Sequence, residues 1–375
     1  MKALSRLACR AAYSDLVRSS IVLFNRQKPL TIDTVFKAPT IADVARSARV
    51  SVATASRTLS GTVRVRPALR DQVLQAAEQL GYEANPHARA LASAGEATVG
   101  VVLHDVENPF FAELVRGMDE VANAADRTLI FITAHRDLQR ELAAIAHFRA
   151  RRVEALVIAS SGIEARDFAT AITNQLMAFE AAGGRAVLVG RHYGHGDAVL
   201  PDNVGGGREV AEELVRLGHR RIGVISGPPA VTTTRERLAG VRDALQRAGH
   251  ELPDEMLVPG DYTRDSGMAA AHELLGRQGA TPTALIAFND LMAIGAMAEA
   301  RNRGLRIPED ISVTGFDDVP IARDVMPALT TVRVPAAEMG ALALRMALDA
   351  RHGDLRVEHL PTRLVRRQST GPASS

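Results

Sequence analysis

Polar and aromatic side chains are predicted to follow the strands in the long carboxy-terminal part of this chain, where they can hold a small molecule. Ligands of parallel α/β sheets bind beyond the carboxyl ends of the strands, so residues that directly follow apolar β-rich runs are the first candidates. A carboxylate, an amide, a guanidinium and several aromatic rings are the groups that hold a polyhydroxy ligand. The candidate residues are Asp105, Phe110, Phe111, Arg237, Tyr262, Asn289 and Asp317.

Several of these positions also allow a purely structural interpretation. Arg237 and Asp317 can form an ion pair within the protein, and Phe110 can belong to the hydrophobic core. Beside Asn289, Asp290 is more typical of a helix N-cap than of a ligand-binding group. The residue types therefore predict a ligand cleft and leave the identity of the ligand open.

No pattern in the sequence predicts catalysis, a cofactor or a metal site, so the chain is not expected to be an enzyme. The glycine-rich stretch VGGGREV, residues 204–210, lacks the G-x-G-x-x-G spacing of dinucleotide-binding loops. The histidines are scattered, and no cysteine cluster accompanies them. His192 and His195 lie in a glycine-rich loop, where solvated loop residues are a better interpretation than metal ligands.

The elements that must position the candidate residues are alternating strands and helices. Short β-rich runs such as TVGVVLHD, TLIFITA, VEALVIAS and RAVLVG are separated by helical stretches, and the pattern restarts with RIGVISG, MLVPGD, TALIAFND and ISVTGFDD. Such alternation predicts parallel sheets with helices on both faces. Two blocks in series predict two similar doubly wound subdomains that face a cleft.

Ahead of this α/β body, the segment TIADVARSARVSVATASRTLSG, residues 40–61, predicts two short helices that are separated by four residues. The gap is too short for an antiparallel hairpin, so the helices must meet at a steep angle, as in a helix-turn-helix. Thr40 and Ser51 are expected to cap the two helices, each hydroxyl accepting a backbone N–H. The apolar faces of the two helices comprise Ile41, Val44, Ala45 and Ala48, and Val52, Ala55 and Leu59.

The opposite face of the second helix carries Ala53, Thr54 and Arg57, which suit the major groove of DNA. An arginine can donate to guanine, and a threonine or serine can reach a phosphate. On local sequence alone, a small helical pair with a solvated arginine remains an alternative. The predicted DNA-contact residues of this segment are Thr40, Ser51, Val52, Ala53, Thr54, Ser56 and Arg57.

The uneven charge of the chain favours DNA as the partner of its amino-terminal part. The net charge is +2 over 375 residues, yet residues 1–95 contain 14 Lys+Arg and 6 Asp+Glu, so the remainder is acidic. A basic front on an acidic body indicates a polyanionic partner for the front only. Charge alone fits a membrane surface equally well, and the helix-turn-helix pattern decides for DNA.

The cysteine content and the hydropathy predict a cytoplasmic protein. Cys9 is the only cysteine, so no disulfide can form within the chain, which fits a reducing compartment. No apolar run approaches the ~20 residues of a membrane-spanning helix. Asp15 and Arg18 interrupt the apolar start of the chain, which makes a poor secretory signal. Residues 1–38 are expected to be a disordered or weakly helical leader without an assigned function.

Seven motifs in order resemble the lactose/galactose repressor family of bacterial transcription regulators. The resemblance covers residues 39 to about 368, and one motif alone would be weak, whereas seven at family-like spacing are highly specific. The motifs are TIADVARSARVSVATASRTLSG, LGYEANPHARALAS, VENPFF, RERLAGVRDAL, FNDLMAIGAM, TGFDDVP and PALTTVRVP.

The resemblance changes the interpretation of residues 85–95, which by composition form only a linker. It implies that this segment becomes a hinge helix when a dimer sits on its operator. Paired hinge helices enter the minor groove, where Leu91 matches a leucine that wedges a base step open and Ala88 matches a small contact residue. Asn85 opens the segment and belongs to the predicted DNA contacts. Arg49 departs from the family, because a glycine usually occupies that turn, so strain is expected there.

The resemblance also implies the domain organisation and the fold. The body is expected to resemble the periplasmic binding proteins. The predicted boundaries are a leader at 1–38, a helix-turn-helix domain at 39–84, a hinge at 85–95, a core at 97–368 and a tail at 369–375. Within the core, the first subdomain is predicted at 97–201 and 333–352, and the second at 202–331 and 353–368.

These observations together predict a ligand-responsive transcription regulator, in particular a repressor. Its expected partners are a palindromic operator, a second copy of the chain in a homodimer, and a carbohydrate or sugar acid that binds between the subdomains. A secreted solute-binding protein would share the body fold and is the alternative. That alternative needs a cleavable signal and no helix-turn-helix, and this chain fails both tests.

Overall fold

The computed structural model describes residues 39–60, 66–82, 98–163, 166–192, 196–277, 281–349 and 355–374. The chain divides into two compact units, Met1–Ala92 and Ser93–Ser375, and each is described by itself. The predicted leader and the predicted hinge residues Asn85, Ala88 and Leu91 lie outside the described residues.

Three helices make up the described part of the first unit: Ile41–Ser47, Val52–Ser60 and Pro67–Leu80. The third helix begins at Pro67, whose fixed φ suits the first helical position. It ends at Gly81, which adopts a φ of 59° and closes the helix in the left-handed conformation. Small and β-branched side chains at helical spacing form the core, namely Val44, Ala45, Ala48, Ala55, Val73, Ala76 and Ala77.

The second unit, which contains the cleft, is built on two six-stranded sheets. The strands of the first sheet are β1 (Thr98–Leu103), β2 (Thr128–Thr133), β3 (Ala155–Ala159), β4 (Arg185–Val189), β5 (Asp197–Pro201) and β11 (Val357–Leu360). Their order is β11-β5-β4-β3-β1-β2, and all neighbouring strands are parallel. Every residue of β3 is buried, as expected where helices cover both faces of a parallel sheet. Its helices are Pro109–Ala124, Leu138–Ala150, Arg166–Ala181 and Ala336–Leu348.

The strands of the second sheet are β6 (Ile222–Ser226), β7 (Leu257–Pro259), β8 (Ala284–Ala287), β9 (Ser312–Asp317), β10 (Thr330–Arg333) and β12 (Arg363–Val365). Their order is β12-β10-β9-β8-β6-β7, in which only the edge strand β12 runs antiparallel to its neighbour. The predicted doubly wound subdomains are therefore confirmed. The helices are Asn203–Arg216, Thr232–Arg247, the 3-10 turn Asp254–Met256, Arg264–Leu275, Asp290–Asn302 and Ile321–Asp324.

The connections between the two sheets place the cleft beside the crossing segments. Strand β5 leads into a helix that packs on the second sheet, and β10 leads into a helix that packs on the first. The last crossing lies between β11, which pairs with β5, and β12, which pairs with β10. Residues 357–360 thus belong to the first subdomain, and the sequence-based assignment of all of 353–368 to the second was wrong. The half-exposed strand VEHL carries no apolar pattern that locates this crossing.

Two glycines hold the returning helix Ala336–Leu348 against helix Pro109–Ala124. A Cβ atom on Gly117 would lie 1.8 Å from the carbonyl oxygen of Ala337, and one on Gly340 would lie 2.0 Å from that of Leu114. Only glycine fits at such a backbone contact, because any other residue carries a Cβ atom. The contact fixes this helix to the first subdomain directly after the chain leaves β10.

The residues beyond the last strand pack onto the second subdomain rather than extending from it. Ser369 is fully buried. The backbone N–H of Val313 donates to the carbonyl oxygen of Ser369 at 2.8 Å, and the Ser369 hydroxyl donates to the carbonyl oxygen of Val313 at 2.6 Å. Over the residues that the structure describes, the predicted tail at 369–375 is thus bonded to the start of strand β9.

Candidate DNA-contact helix and ligand cleft

The second helix of the first unit begins at a serine cap, as predicted. The Ser51 hydroxyl oxygen accepts the backbone N–H of Thr54 at 3.1 Å and contacts the Thr54 hydroxyl at 2.8 Å. This bond satisfies one of the backbone donors that have no partner within the helix. The first residues of the helix are thereby held in a fixed, exposed arrangement.

The first helix begins at Thr40, as predicted, and Thr40 forms a capping box with Asp43. The hydroxyl of Thr40 also donates to the carboxylate of Asp43 at 2.7 Å. The same carboxylate oxygen accepts the backbone N–H of Thr40 at 2.9 Å. These bonds lower the pKa of Asp43, the Thr40 hydroxyl contributing most. Thr40 and Asp43 therefore cap this helix together, as the two partners of a capping box do.

The turn between the two helices carries the strain that the sequence predicts. Arg49 has a φ of 48°, in the left-handed region that favours glycine. This conformation allows the backbone N–H of Val50 to bond the carbonyl oxygen of Ala45 at 2.9 Å, which closes the first helix. The turn exchanges a conformational cost of about 1–2 kcal/mol for a sharp change in chain direction.

The exposed face of helix Val52–Ser60 carries the predicted contact residues. Val52 is 49% exposed, so its predicted place on the apolar face was wrong, although its place among the exposed contact residues agrees with the structure. The guanidinium of Arg57 is exposed, and its Nε donates to the carbonyl oxygen of Ala53 at 3.1 Å. Ser51 and Ala53 are also exposed, whereas Thr54 and Ser56 are half-buried.

Both subdomains of the second unit line a cleft whose wall is formed by polar, charged and aromatic side chains. Five of the seven residues predicted from the sequence line this cleft: Phe110, Phe111, Arg237, Tyr262 and Asp317. The rings of Phe110 and Phe111 meet edge to face, with centroids 5.3 Å apart. The cleft wall thus combines aromatic faces with a guanidinium and a carboxylate.

Arg237 and Asp317 form a buried pair in the wall of the cleft. Nη2 of Arg237 donates to Oδ1 of Asp317 at 3.0 Å, Nε donates to the side-chain oxygen of Asn203 at 3.0 Å, and Nη1 donates to the carbonyl oxygen of Phe288. The guanidinium also stacks on the ring of Phe316, 3.7 Å from its centroid. These contacts hold the guanidinium plane in one orientation, so the ion-pair interpretation and the cleft interpretation both describe this pair.

The carboxylate of Asp317 is held at an energetic cost. Burial raises its pKa to about 6, against the opposing effect of the adjacent Arg237. Its φ of 108° is also unfavourable for a residue with a side chain. Arg136 and Tyr262, which line the same cleft, have φ values of 56° and 72°. Strain of this kind costs about 1–3 kcal/mol per residue and is typical of ligand sites.

The structure does not bring Asp105 and Asn289 to the cleft wall. Asp105 accepts the backbone N–H of Asn108 at 2.9 Å and contacts Nε2 of His104 at 3.1 Å, so it shapes the loop that carries the phenylalanines. Asn289 is 1% exposed. Its oxygen caps the following helix at Met292, and its Nδ2 donates to the carbonyl oxygen of Tyr262 at 2.8 Å. Both residues position others that line the cleft.

The predicted N-cap role of Asp290 belongs to its neighbour Asn289. The Asp290 carboxylate is buried, where it accepts the backbone N–H of Val319 at 2.8 Å and the hydroxyl of Thr331. Burial, and then the nearby charge of Asp317, raise the pKa of Asp290 well above its ordinary value. Asp290 therefore ties the loop after β9 to the sheet.

Several cleft residues were not selected by the sequence argument. Five of them lie shortly beyond the carboxyl end of a strand in the first subdomain or at a crossing, namely Arg136, Ser160, Ser161, Gly190 and Asn203. The sixth, Thr233, lies at the start of helix Thr232–Arg247 in the second subdomain. The rule that selected the predicted residues applied here too, but serines and threonines after strands are too common to stand out.

Ser160 is held in the wall by a buried carboxyl group and a half-buried imidazole. Its hydroxyl donates to Oε1 of Glu141 at 3.3 Å and lies 3.3 Å from Nε2 of His192, whose Nδ1 contacts the carbonyl oxygen of Gly190 at 3.1 Å. Burial raises the pKa of Glu141 to about 7 and lowers the pKa of His192 to about 4. The carboxyl group of Glu141 and the neutral imidazole of His192 thus orient the hydroxyl of Ser160. The three side chains are not arranged in the order of a catalytic triad, because the hydroxyl lies between the other two groups.

The two walls of the cleft are linked by hydrogen bonds near its base. The hydroxyls of Ser161 and Thr233 lie 2.7 Å apart. The hydroxyl of Thr232 donates to the carbonyl oxygen of Arg191 at 2.8 Å, and the backbone N–H of Thr232 donates to the carbonyl oxygen of Gly162 at 2.9 Å. These bonds define one relative arrangement of the two subdomains, in which the cleft walls face each other.

Comparison with known proteins identifies the family. Residues 40–85 match the model of the bacterial regulatory proteins of the lacI family, and residues 211–370 match the periplasmic binding protein-like domain. The HTH-type transcriptional regulator GalS of Salmonella typhimurium is 38% identical over 337 residues, which cover 88% of this chain and 96% of that protein. The chain belongs to the lacI family of bacterial regulatory proteins.

Solved structures of lacI-family proteins agree over nearly the whole chain. A lac repressor dimer bound to operator and the anti-inducer ONPF has a TM-score of 0.75 at 27% identity, covering 89% of this chain and 100% of that one. A complex of the transcriptional regulator CelR with cellobiose has a TM-score of 0.65 at 30% identity, covering 88% and 99%.

Membership of the lacI family decides between the two functions that the sequence left open. The protein is a DNA-binding transcription regulator, and the alternative of a solute-binding protein without a DNA role is wrong.

Over the part of the chain that the structure describes, no helix is long and apolar enough to span a membrane. Within the same residues, no group of three or more His, Cys, Asp or Glu side chains is arranged to hold a metal ion.

Proposed function

We propose that this lacI-family regulator is a cytoplasmic repressor that binds a palindromic operator as a homodimer. A small polyhydroxy effector, a carbohydrate or a sugar acid, binds in the cleft and changes the affinity for the operator. The protein acts by binding alone and is not an enzyme. The cleft residues Phe110, Phe111, Arg237, Tyr262 and Asp317 contact the effector, and Asp105 and Asn289 support them.

The observation that carries the effector proposal is the mixed character of the cleft wall. The fixed pair Arg237–Asp317 offers a donor and an acceptor side by side, which suits vicinal hydroxyls. The rings of Phe110, Phe111 and Tyr262 offer flat apolar surfaces for the carbon face of a sugar ring. The related CelR structure with cellobiose supports a ligand of this class.

The proposed mechanism is a shift between two arrangements of the subdomains. A ligand that contacts both walls binds the arrangement in which the walls face each other more tightly, and so increases its population. Because the crossing segments join the subdomains, their relative movement alters the separation of the two hinge segments in the dimer. The effector thereby changes how well the dimer fits its operator.

The operator part rests on helix Val52–Ser60 and on the family. We expect contacts to base edges and phosphates from seven residues, which are Ser51, Val52, Ala53, Thr54, Ser56 and Arg57 and, at the start of the first helix, Thr40. A two-fold symmetric dimer binds two half-sites in inverted orientation. The related lac repressor dimer on its operator supports this arrangement. Asn85, Ala88 and Leu91 are proposed as minor-groove contacts.

The operator proposal is tested by selecting duplexes from a random pool with the full-length chain and sequencing the bound fraction. We expect an inverted repeat, bound by two chains per duplex in sedimentation measurements. A selected site without two-fold symmetry, or a complex of one chain per duplex, would contradict the homodimer.

A thermal-shift screen of sugars, sugar acids and nucleosides tests the effector proposal. A ligand raises the melting temperature according to the ratio of its concentration to its dissociation constant. We expect a concentration-dependent rise for a polyhydroxy ligand, and loss of that rise in the Asp317→Asn variant. Binding only of nucleosides, or of the same sugar equally by the variant, would contradict the proposed ligand class or its site.

A further inference from the structure

Arg136 is a cation in the cleft wall whose role the proposed function does not include. It follows β2 of the first subdomain and lines the same cleft as Arg237 and Asp317. Its φ of 56° places the backbone in the left-handed region, next to His135 at 51°. Two consecutive strained residues are costly, so the loop that presents this guanidinium is held by the surrounding fold.

No carboxylate forms an ion pair with Arg136 within the described residues. Its guanidinium forms no ion pair there, whereas Arg237 is paired with Asp317. The nearest carboxylates, those of Asp105 and Asp261, are engaged in their own loops. Asp105 binds His104 and the backbone of Asn108, and Oδ1 of Asp261 accepts the backbone N–H and the hydroxyl of Thr263 at 2.9 and 2.6 Å.

The side chains that line the cleft therefore carry one positive charge that forms no ion pair, and the carboxylates of Asp105 and Asp261 attract it from outside the lining. Arg237 and Asp317 cancel, and Arg136 remains. Burial lowers the pKa of the Arg136 guanidinium from its ordinary value, which means that the charge has lost part of its hydration. A partly desolvated cation gains more from a carboxylate than an exposed cation does, because the surrounding dielectric screens the attraction less.

We propose that Arg136 binds a carboxylate of the effector, so that the natural ligand is a sugar acid rather than a neutral sugar. The guanidinium donates two N–H groups to the carboxylate in the planar arrangement that arginine favours. The hydroxyls of the ligand then bind Arg237, Asp317 and the serine and threonine hydroxyls of the wall. This inference narrows the ligand class of the proposed function and depends on it.

Arg136 also contacts the opposite subdomain, which offers a competing explanation. Its Nη1 donates to the carbonyl oxygen of Asp261 at 3.1 Å, and its guanidinium lies 4.8 Å from the centroid of the Tyr262 ring. A residue that only joins the subdomains would affect every ligand of the closed cleft alike. A residue that binds a carboxylate affects acids selectively. The two roles are therefore separable by comparing an acid with the neutral sugar of the same ring.

The test measures dissociation constants of the full-length chain by calorimetry for common hexoses, the matching hexuronates and aldonates, and the hexose 6-phosphates. In the wild type, the tightest ligand is expected to be an acid that binds at least tenfold more tightly than its neutral counterpart. Arg136→Gln is expected to weaken the acid by about 10- to 100-fold, the range for hydrogen bonds between charged groups. It should change the affinity for the neutral sugar by less than about threefold.

Arg140→Gln is the matched control, because Arg140 is exposed, lies four residues along the chain and does not line the cleft. This variant removes the same charge and should bind both ligands as the wild type does. Equal weakening of acid and neutral sugar by Arg136→Gln would assign the residue to subdomain contact and overturn the inference. Tighter binding of neutral sugars or of the phosphates would also overturn it while leaving the polyhydroxy effector intact. Failure of every sugar and sugar acid to bind would overturn the proposed effector class together with the inference.

Discussion

Replacing Glu141 by glutamine is expected to stabilise the protein, although it removes a hydrogen-bonded carboxylate. Glu141 is only 2% exposed, and its Oε1 accepts a hydrogen bond from the hydroxyl of Ser160 at 3.3 Å. Among the described residues, no cation forms an ion pair with it. An ionised carboxylate without a partner is costly in such a site, so the group retains its proton, and glutamine imitates the protonated form.

The size of the effect follows from the pKa of Glu141, which burial raises from 4.5 to about 7. Each unit corresponds to 1.36 kcal/mol, so the shift amounts to about 3 kcal/mol. The folded state holds a proton that the unfolded state has lost between these two values. The contribution to stability is therefore fully present below about pH 4.5 and is lost as the pH rises through about 7. Glu141→Gln should be unchanged at pH 4 and more stable than the wild type by up to about 3 kcal/mol at pH 8.

Guanidinium unfolding monitored by circular dichroism, at several pH values between 4 and 8, measures this difference. Glu107→Gln is the matched control, because Glu107 is exposed and lies in the same subdomain, so its removal should leave the pH dependence of the wild type in place. A Glu141→Gln variant that is less stable than the wild type at pH 8 would refute the reasoning. A difference that does not vary with pH would refute it as well.

The remaining predictions concern DNA and effector binding. Arg57→Ala should weaken operator binding by about 1–3 kcal/mol, as expected for a base contact, and more than the exposed control Arg70→Ala does; equal losses would defeat the base contact. Leu91→Ala should reduce affinity for the operator far more than for random DNA in a titration of both, since only the operator complex needs the wedge, and equal losses would make Leu91 a linker residue. Asp317→Asn should abolish the effector response while operator binding stays intact; a fall in stability of about 3–5 kcal/mol with a normal response would make the pair purely structural.

The fold was largely predictable because the central strands are continuous apolar runs in the sequence. Runs such as those of β3 and β8 are apolar throughout, and only a strand covered on both faces needs that composition. Strands β5 and β11 were not predicted from the sequence. β5 is a short run that ends in proline, and β11 is an exposed strand that contains Glu358 and His359. Their place is set by pairing across the sheet, which local composition does not encode.

The cleft was predictable in part for a related reason. Arg237 and Asp317 were predicted together because both follow strands of one subdomain, although Arg237 lies on the helix Thr232–Arg247 rather than at the end of a strand. Arg136 and Ser160 also follow strands. A loop with left-handed backbone conformation presents Arg136 to the cleft, and a hydrogen bond to the buried Glu141 orients Ser160. The sequence does not show which loops adopt such conformations. Asp105 and Asn289 follow strands as well, yet they do not line the cleft. They support other residues of the wall from behind.

The central claim is that ligand binding in the cleft and operator binding by the first unit are coupled. It is tested most directly by measuring the operator affinity of the full-length chain by fluorescence anisotropy, with and without a saturating concentration of the tightest cleft ligand. Coupling between sites of this kind changes affinity by about 5- to 150-fold. We expect a change within that range in the wild type and none in Asp317→Asn. An operator affinity of the wild type that is the same with and without the bound ligand would contradict the account.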